Sequence, residues 1–321
     1  MNKSDTQNSP QNLSRLDVAA LNYKRLTASV LSNTLYFMVS DLVKKHFVWV
    51  LPVMLSKTTD PLWPDPGASI EKRIDTEIYG EKVRITTSMI VHKMVYCSLV
   101  HPRLFIVSPN VRIEKRERRA TGWHCYEFTQ LDFELKDGDF ESVRSLVEDL
   151  LRNLVNYIKG NYKDTPEIID SIKKTIIPET KFPVFDAQSL KESKGEDWEK
   201  ELIRESKTPF WVRNIPREFY DYEDPETGVW DNYDLFLPRY GEVLSGAKRE
   251  WEYDKIKKKM ERDGVSADMY KELLQLAKSH RLSPSAGAGI GVERLVTWLC
   301  GAKSIEQVQP FPRIPGVVLD F

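Results

Sequence analysis

Trp123-His124-Cys125-Tyr126-Glu127-Phe128-Thr129-Gln130-Leu131-Asp132-Phe133-Glu134 is the stretch on which the fold of this chain turns. Read as a strand, its side chains alternate between two faces, so Phe128, Gln130, Asp132 and Glu134 share one. Just upstream, Val111-Arg112-Ile113-Glu114 brings Arg112 and Glu114 onto one face by the same period of two. Between the two segments runs a loop dense in charge, Glu114-Lys-Arg-Glu-Arg-Arg119. A face bearing Arg, Glu, Asp and Phe suits neither solvent nor a core. It suits the floor of a site for a polar ligand with a flat aromatic part. An exposed antiparallel sheet with cross-strand ion pairs fits the composition equally well.

Further along, Val143, Leu146, Val147, Leu150, Leu151, Leu154, Val155 and Ile158 hold an unbroken helical stripe, which is core packing and carries no chemistry. Leu31, Leu35, Met38, Val39 and Leu42 mark a second helix within 26–45, followed by a strand from His46 to Pro52. The loop Thr59–Gly67 is too rich in proline and glycine for regular structure. Strands are expected at 81–87, 104–108, 209–216 and 233–243, and helix at 250–280 with a break near Gly264. Residues 159–207 are charged and mixed, and the least informative. Hairpin-like pairs outnumber crossover helices, which gives an α+β fold with an antiparallel sheet.

The chain has 321 residues with a net charge of -1, so it offers no general electrostatic argument for nucleic acid. Cys97, Cys125 and Cys300 show no C-x-x-C spacing, which argues against a disulfide framework or a zinc site and fits a reducing, cytoplasmic compartment. No run reads as membrane-spanning, and the polar N-terminus is no secretory signal. Residues 1–20 read as a flexible tail before one domain, 21–321.

Two further constellations stand out. Asp234, Glu242 and Ser245, with Arg249 beyond them, supply hard oxygen donors of the kind magnesium takes beside substrate phosphates. Gly287-Ala-Gly-Ile-Gly291 precedes Val-Glu-Arg294 and reads as a tight glycine turn opening a helix, its amides facing an anion. Too little chain follows for a dinucleotide-binding unit. Arg294, in a first helical turn, needs a compensating anion, which a triphosphate or Glu293 would supply. The histidines (46, 92, 101, 124 and 280) show no metal spacing. His124 and Cys125 point to opposite strand faces and cannot act as a nucleophile–base pair.

Taken in order, these segments resemble the three motifs of the class II aminoacyl-tRNA synthetases, closest to the aspartyl and asparaginyl enzymes. The first motif resembles the helix from Leu26 and the strand ending at Pro52. The second is Val-Arg-Ile-Glu114 followed by Glu127–Glu134, and the third is Gly287–Arg294. The resemblance implies a catalytic core with an antiparallel β-sheet flanked by helices, working as a homodimer. It implies that Arg112 holds the α-phosphate of ATP, Glu114 lies on the adenine side, Phe128 stacks on adenine and His124 approaches the terminal phosphates. Arg294 grips the γ-phosphate, Glu242 and Ser245 with Asp234 hold Mg2+, and Gln130 and Asp132 face the amino acid, Asp132 on its amino group. Lys93 and Arg249 align with the cations that aspartyl enzymes place on the substrate's side-chain carboxylate.

The departures shape the functional expectation. Little precedes the first motif where tRNA-charging relatives carry an anticodon-reading domain. Trp123 replaces an arginine, Ser285 a histidine and Ile90 a glutamine. A stand-alone core with an altered pocket resembles the archaeal asparagine synthetases related to these enzymes. The implied reaction joins aspartate, ATP and ammonia into asparagine, AMP and pyrophosphate through a β-aspartyl-adenylate. On that reading aspartate binds flipped, residues 59–67 form a lid, and tRNA is not required. The alternative is a synthetase-like core that transfers its activated amino acid to tRNA or another acceptor. The basic loop Lys115–Arg119, which meets the acceptor stem in family members, supports it.

Overall fold

The computed structural model describes residues 18–61 and 70–318. Residues 1–17 of the expected tail (1–20) and most of the expected lid, 62–67, lie outside them, and 18–20 belong to the first helix and not to a tail. Helix α1 (Val18–Lys44) is followed by β1 (Val48–Trp49), β2 (Leu55–Ser56), β3 (Ile70–Lys72), β4 (Asp75–Ile78), β5 (Glu81–Ile85) and α2 (Ile90–Leu99). Next come β6 (Arg103–Val111), β7 (Ile113–Glu114), a 3₁₀ segment Arg116–Thr121, β8 (Glu127–Lys136), α3 (Phe140–Asn161) and α4 (Pro166–Lys173). The charged stretch resolves into β9 (Val184–Asp186), α5 (Ala187–Lys194) and α6 (Trp198–Glu205). The remainder is β10 (Phe210–Arg213), β11 (Asn232–Leu237), β12 (Gly241–Lys248), α7 (Tyr253–Arg262), α8 (Lys271–Lys278), β13 (Ser285–Gly291) and α9 (Val292–Cys300).

Eight strands form the main sheet in the order β1-β6-β8-β13-β12-β11-β10-β9. The six inner strands pair antiparallel, and only the edge strands β1 and β9 pair parallel. Helices α1, α3 and α9 share one core with one face of this sheet, through Met38, Leu42, Val147, Leu151, Leu154, Val296 and Leu299. Each such buried aliphatic side chain contributes about 1.5–3 kcal/mol. Helix α3 starts where Asp139 accepts a hydrogen bond from the Ser142 amide (2.8 Å), as an N-cap should. The opposite face carries the polar residues of β8 and is walled by α2 and by an apolar cluster of α2, α7 and α8 around Phe219, Ile256 and Tyr270.

Three local expectations are corrected. The expected strand 233–243 is a hairpin: β11 and β12 turn through Pro238–Tyr240, with Arg239 at φ 69°. The glycine-rich run is no turn. It is β13, in the middle of the sheet, its amides spent on β8 and β12. Ala286, Ala288 and Ile290 enter the core, while Gly287 and Gly289 face β8 so closely that side chains there would collide. A Cβ on Gly289 would lie 2.9 Å from Asp132 Oδ1. Finally, residues 21–44 of α1 are long and apolar enough, by length and composition alone, to cross a membrane. One face of the helix nonetheless docks on the domain: Tyr23 donates to the Cys300 carbonyl, Thr27 to the Gln307 carbonyl, and Ser29 and Asn33 meet the Tyr162 hydroxyl.

Candidate active site

The polar face of β8 is the floor of a site. Antiparallel registry sets Gln130, Asp132 and Glu134 opposite Gly291, Gly289 and Gly287 of β13, and opposite Ser108, Ile106 and Leu104 of β6. The missing side chains of β13 leave the space above it to ligand and to neighbouring side chains. Two adjoining cavities open there. One, of about 440 Å³, is lined by Lys93, Asp132, Arg217, Asp221, Asp234 and Arg249 among others; a smaller one, of about 100 Å³, is lined by Glu114, Trp123, His124, Phe128 and Arg294. Arg112, Gln130, Glu242 and Gly289 line both.

The deep end is a lattice of buried charges. Lys93 Nζ, from α2, donates to Asp132 Oδ1 (2.8 Å) and the Ala288 carbonyl (3.3 Å), and lies 3.8 Å from Glu134 Oε2. Arg249 donates to Glu134 Oε1 (3.2 Å), Asp221 Oδ1 (2.8 Å) and the Gly287 carbonyl (3.2 Å). Ser285 also donates to Glu134 Oε1, at 2.8 Å. Burial pushes the Asp221 carboxyl up from its ordinary range, against the pull of Arg249 and Arg217. Two cations thus meet three carboxylates of the protein itself, and an incoming carboxylate would find no uncompensated positive charge. Gln130 is oriented by Asn110, which donates to its Oε1 at 2.6 Å.

The shallow end sets an aromatic ring beside cationic side chains. The Arg112 guanidinium stands 5.4 Å from the centre of the Phe128 ring, and its Nε donates to the Thr87 carbonyl (3.2 Å). Arg118 donates to His124 Nε2 (3.0 Å), so Nδ1 carries the hydrogen and donates to Thr121 Oγ1 (2.6 Å). Burial, then the charges of Arg118 and Arg294, bring the His124 pKa down to about 4, so the ring is neutral at pH 7. Glu293 turns away from Arg294: its carboxylate accepts from the Thr129 amide (3.0 Å) and sits 3.7 Å from Arg313. Arg294 donates one hydrogen bond to the Glu242 carbonyl (2.8 Å) and lines the cavity, where a ligand anion would meet it. Cys125 is buried and its thiol is pushed up to about 12, first by burial and then by Glu293.

The third wall joins the two ends. Asp234 on β11 and Ser245 on β12 are directly opposed, and Glu242 lines the same cavity. Arg217 donates to both Ser245 Oγ and Asp234 Oδ2. Burial, reinforced by Glu242 and opposed by Arg217, raises the Asp234 carboxyl to about 7. Asp234 Oδ1 is buried without a hydrogen-bond partner. An orphaned carboxylate oxygen beside a hydroxyl and a second carboxylate fits a hard cation that brings further oxygens with it. Among the described residues no group of three His, Cys, Asp or Glu forms a complete metal cage.

Several lining residues escaped the sequence reading. Arg217, Glu218, Tyr220 and Asp221 fall in the irregular link between β10 and β11, and Trp198 and Glu199 on α6. The tight alternation of charge and aromatics in Arg217-Glu-Phe-Tyr-Asp221 is the signal that could have found the first group. Asp60, at the start of the expected lid, is buried and accepts from Tyr220 Oη (3.0 Å), so this end of the loop is pinned to the site.

Comparison with known proteins agrees with this architecture. The family of class II tRNA synthetases (D, K and N) matches residues 25–315. The asparagine–tRNA ligase of Mycoplasma mycoides is 25% identical over 312 residues, covering 86% of this chain and 68% of the relative. That of Pelotomaculum thermopropionicum is 28% identical over 259 residues, covering 75% of this chain and 59% of the relative. The chain therefore spans roughly three fifths to two thirds of the length of these curated relatives. In fold, it superimposes on the Entamoeba histolytica asparaginyl-tRNA synthetase in complex with asparaginyl-adenylate with a TM-score of 0.79 at 21% identity, covering 92% of this chain and 68% of the other. For the Pyrococcus horikoshii asparaginyl-tRNA synthetase complexed with asparaginyl-adenylate the values are 0.76 and 24%, covering 96% and 75%. These relatives are named for charging tRNA, which overturns the expectation of an ammonia-dependent asparagine synthetase and leaves the reading of tRNA as dispensable without support. By the match across residues 25–315 and the eight-stranded sheet that carries its motifs, the chain belongs to the class II tRNA synthetases of the D, K and N group.

Proposed function

We propose that the chain is an ATP-dependent, AMP-forming ligase that activates asparagine and passes the aminoacyl group to tRNA. The observation that carries this reading is the pair of adjoining cavities: a charge-lined chamber of about 440 Å³, with room for an amino acid and phosphates together, opens onto a smaller one lined by Phe128, Arg112, His124 and Arg294.

The residues divide the work as follows. Phe128 offers its ring to the adenine, with Glu114 on the same side. Arg112 draws charge off the α-phosphate, and Arg294 and His124 receive the outer phosphates. Asp132, already bonded to Lys93, accepts the substrate ammonium. The bound carboxylate then attacks the α-phosphorus in line, one phosphorus–oxygen bond forms, and the bond to pyrophosphate breaks. The catalysis is positioning and electrostatic stabilisation by groups fixed on strands. Glu242, Ser245 and Asp234 would hold Mg2+, which when bound neutralises developing phosphate charge. The tRNA terminal hydroxyl would then attack the acyl carbon and release AMP; the basic segment Arg116–Thr121 borders the nucleotide end and would meet the acceptor.

Asparagine is favoured by the relatives' names and by the deep end, where Lys93 and Arg249 are already matched by Asp132, Glu134 and Asp221. Aspartate is the second reading. The presence of those same two cations favours it, provided a carboxylate displaces one of the internal partners. Exchange of labelled pyrophosphate into ATP, run with each amino acid in turn, tests both.

The functional unit on this reading is a homodimer. Leu51, Val53, Leu99 and Val100 are exposed around an apolar groove of about 830 Å³ whose far wall is Met269, Leu273 and Leu276. A second copy would cover it. Cytoplasmic placement is proposed with it, and fits three unpaired buried thiols.

A further inference from the structure

Arg217 holds two of the three side chains to which the proposed function gives the metal. Its Nη1 donates to Ser245 Oγ and its Nη2 to Asp234 Oδ2. The third, Glu242, lines the same cavity. Asp234 and Ser245 stand on paired strands in direct register and cannot move apart. Arg217 comes from the irregular link between β10 and β11 on a long rotatable stem, with its side chain 21% exposed to the cavity. Asp234 itself is only 3% exposed, and its Oδ1 has no partner. A buried carboxylate with one oxygen taken and the other unengaged is half satisfied, and native proteins rarely leave such a group without a use.

We propose that Arg217 is a place-holder: in the free protein its guanidinium occupies the divalent-cation site, and the ion enters only as Arg217 releases Asp234 and Ser245. This rests on reading Asp234, Glu242 and Ser245 as the metal end of an ATP site. A lone ion gains little by the exchange. It must displace a cation bonded to two oxygens, and the donors it wins are too few for an octahedral oxygen shell. An ion carried in on a triphosphate brings oxygens of its own, and the phosphates offer the released guanidinium a bidentate anion in return. Metal binding thereby becomes conditional on nucleotide, and the acidic wall stays closed to stray ions between turnovers. Arg217 is on this account a positioning residue.

The test uses the whole chain, Mn2+ as probe, and the paramagnetic resonance signal of free Mn2+ as readout, so no turnover is needed. Wild-type protein should bind Mn2+ weakly alone and more tightly with a non-hydrolysable ATP analogue. Arg217→Met should bind Mn2+ without nucleotide at least about tenfold more tightly, because a repelling unit charge has left the site. Adding Ser245→Ala to Arg217→Met should take much of that gain away. Arg217→Lys, which keeps the charge but cannot bridge both oxygens, should show a smaller gain and serves if the methionine variant does not fold; circular dichroism and Tm report folding. A folded Arg217→Met, or failing that Arg217→Lys, that binds Mn2+ no more tightly than wild type overturns the place-holder. Wild-type protein that fails to bind Mn2+ even with the analogue overturns the metal reading itself, and the place-holder with it.

Discussion

At the scale of the residue, the site is defined by how its charges are matched. Lys93, Asp132, Glu134, Arg249 and Asp221 form a continuous chain of buried ion pairs, and such chains tolerate the loss of one member badly. Arg249→Met should destabilise the fold by about 3–5 kcal/mol, because Glu134 and Asp221 stay buried without their partner. Urea unfolding measures this independently of activity. His124 behaves differently. Burial and two arginines hold its pKa at about 4, so between there and the ordinary pKa near 6.5 the unfolded chain binds a proton that the folded chain refuses. Its contribution to stability is therefore intact above pH 6.5 and falls as the pH drops towards 4. A triphosphate placed beside the ring opposes the arginines, so ATP binding near pH 6 should take up protons, up to one per site. Calorimetry in buffers of different ionisation enthalpy reads that uptake, and His124→Gln should abolish it. The residues of β8 were legible because a strand's period of two is a local property of the sequence. Arg217, Glu199 and Asp60 were not, because packing between distant segments puts them at the site.

At the scale of the element, the glycine-rich run is the instructive case. Its composition suggested a turn, yet none of Gly287, Gly289 and Gly291 has a positive φ. The glycines serve close approach, since β13 runs past the Asp132 and Glu134 side chains with no room for a Cβ. Gly287→Ala should therefore cost about 1–3 kcal/mol or more by overpacking, and it should disturb the Glu134–Arg249 pair at the deep end of the cavity. Chemical denaturation and the KM for the amino acid, measured together, check both effects. The helix α3 was legible because its apolar stripe is unbroken over four turns. Residues 159–207 were opaque because their elements are short and their exposed faces charged. Helix α6 still delivers Trp198 and Glu199 to the cavity wall.

At the scale of the whole molecule, the α+β class and the antiparallel sheet were legible from hairpin-like strand pairs, and the motif order led to the family that the comparisons support. The substrate logic was not legible, because Lys93 and Arg249 look like two available cations in a sequence and prove to be engaged in the structure. The exposed apolar strip from Val48 to Leu55 is continuous with the groove beside α8, and a second copy would hide it. On the proposed dimer, Leu51→Lys should give monomer in light scattering coupled to gel filtration, with little change in unfolding free energy per chain. The two cavities are proposed to hold an amino acid and ATP for adenylation ahead of transfer to tRNA. Exchange of labelled pyrophosphate into ATP, followed by tRNA charging, tests it most directly. The exchange should require asparagine, fall by about 100- to 1,000-fold in Arg112→Ala, and be followed by acid-stable capture of labelled asparagine on tRNA. Exchange with aspartate alone, or AMP released without any label on tRNA, would contradict it.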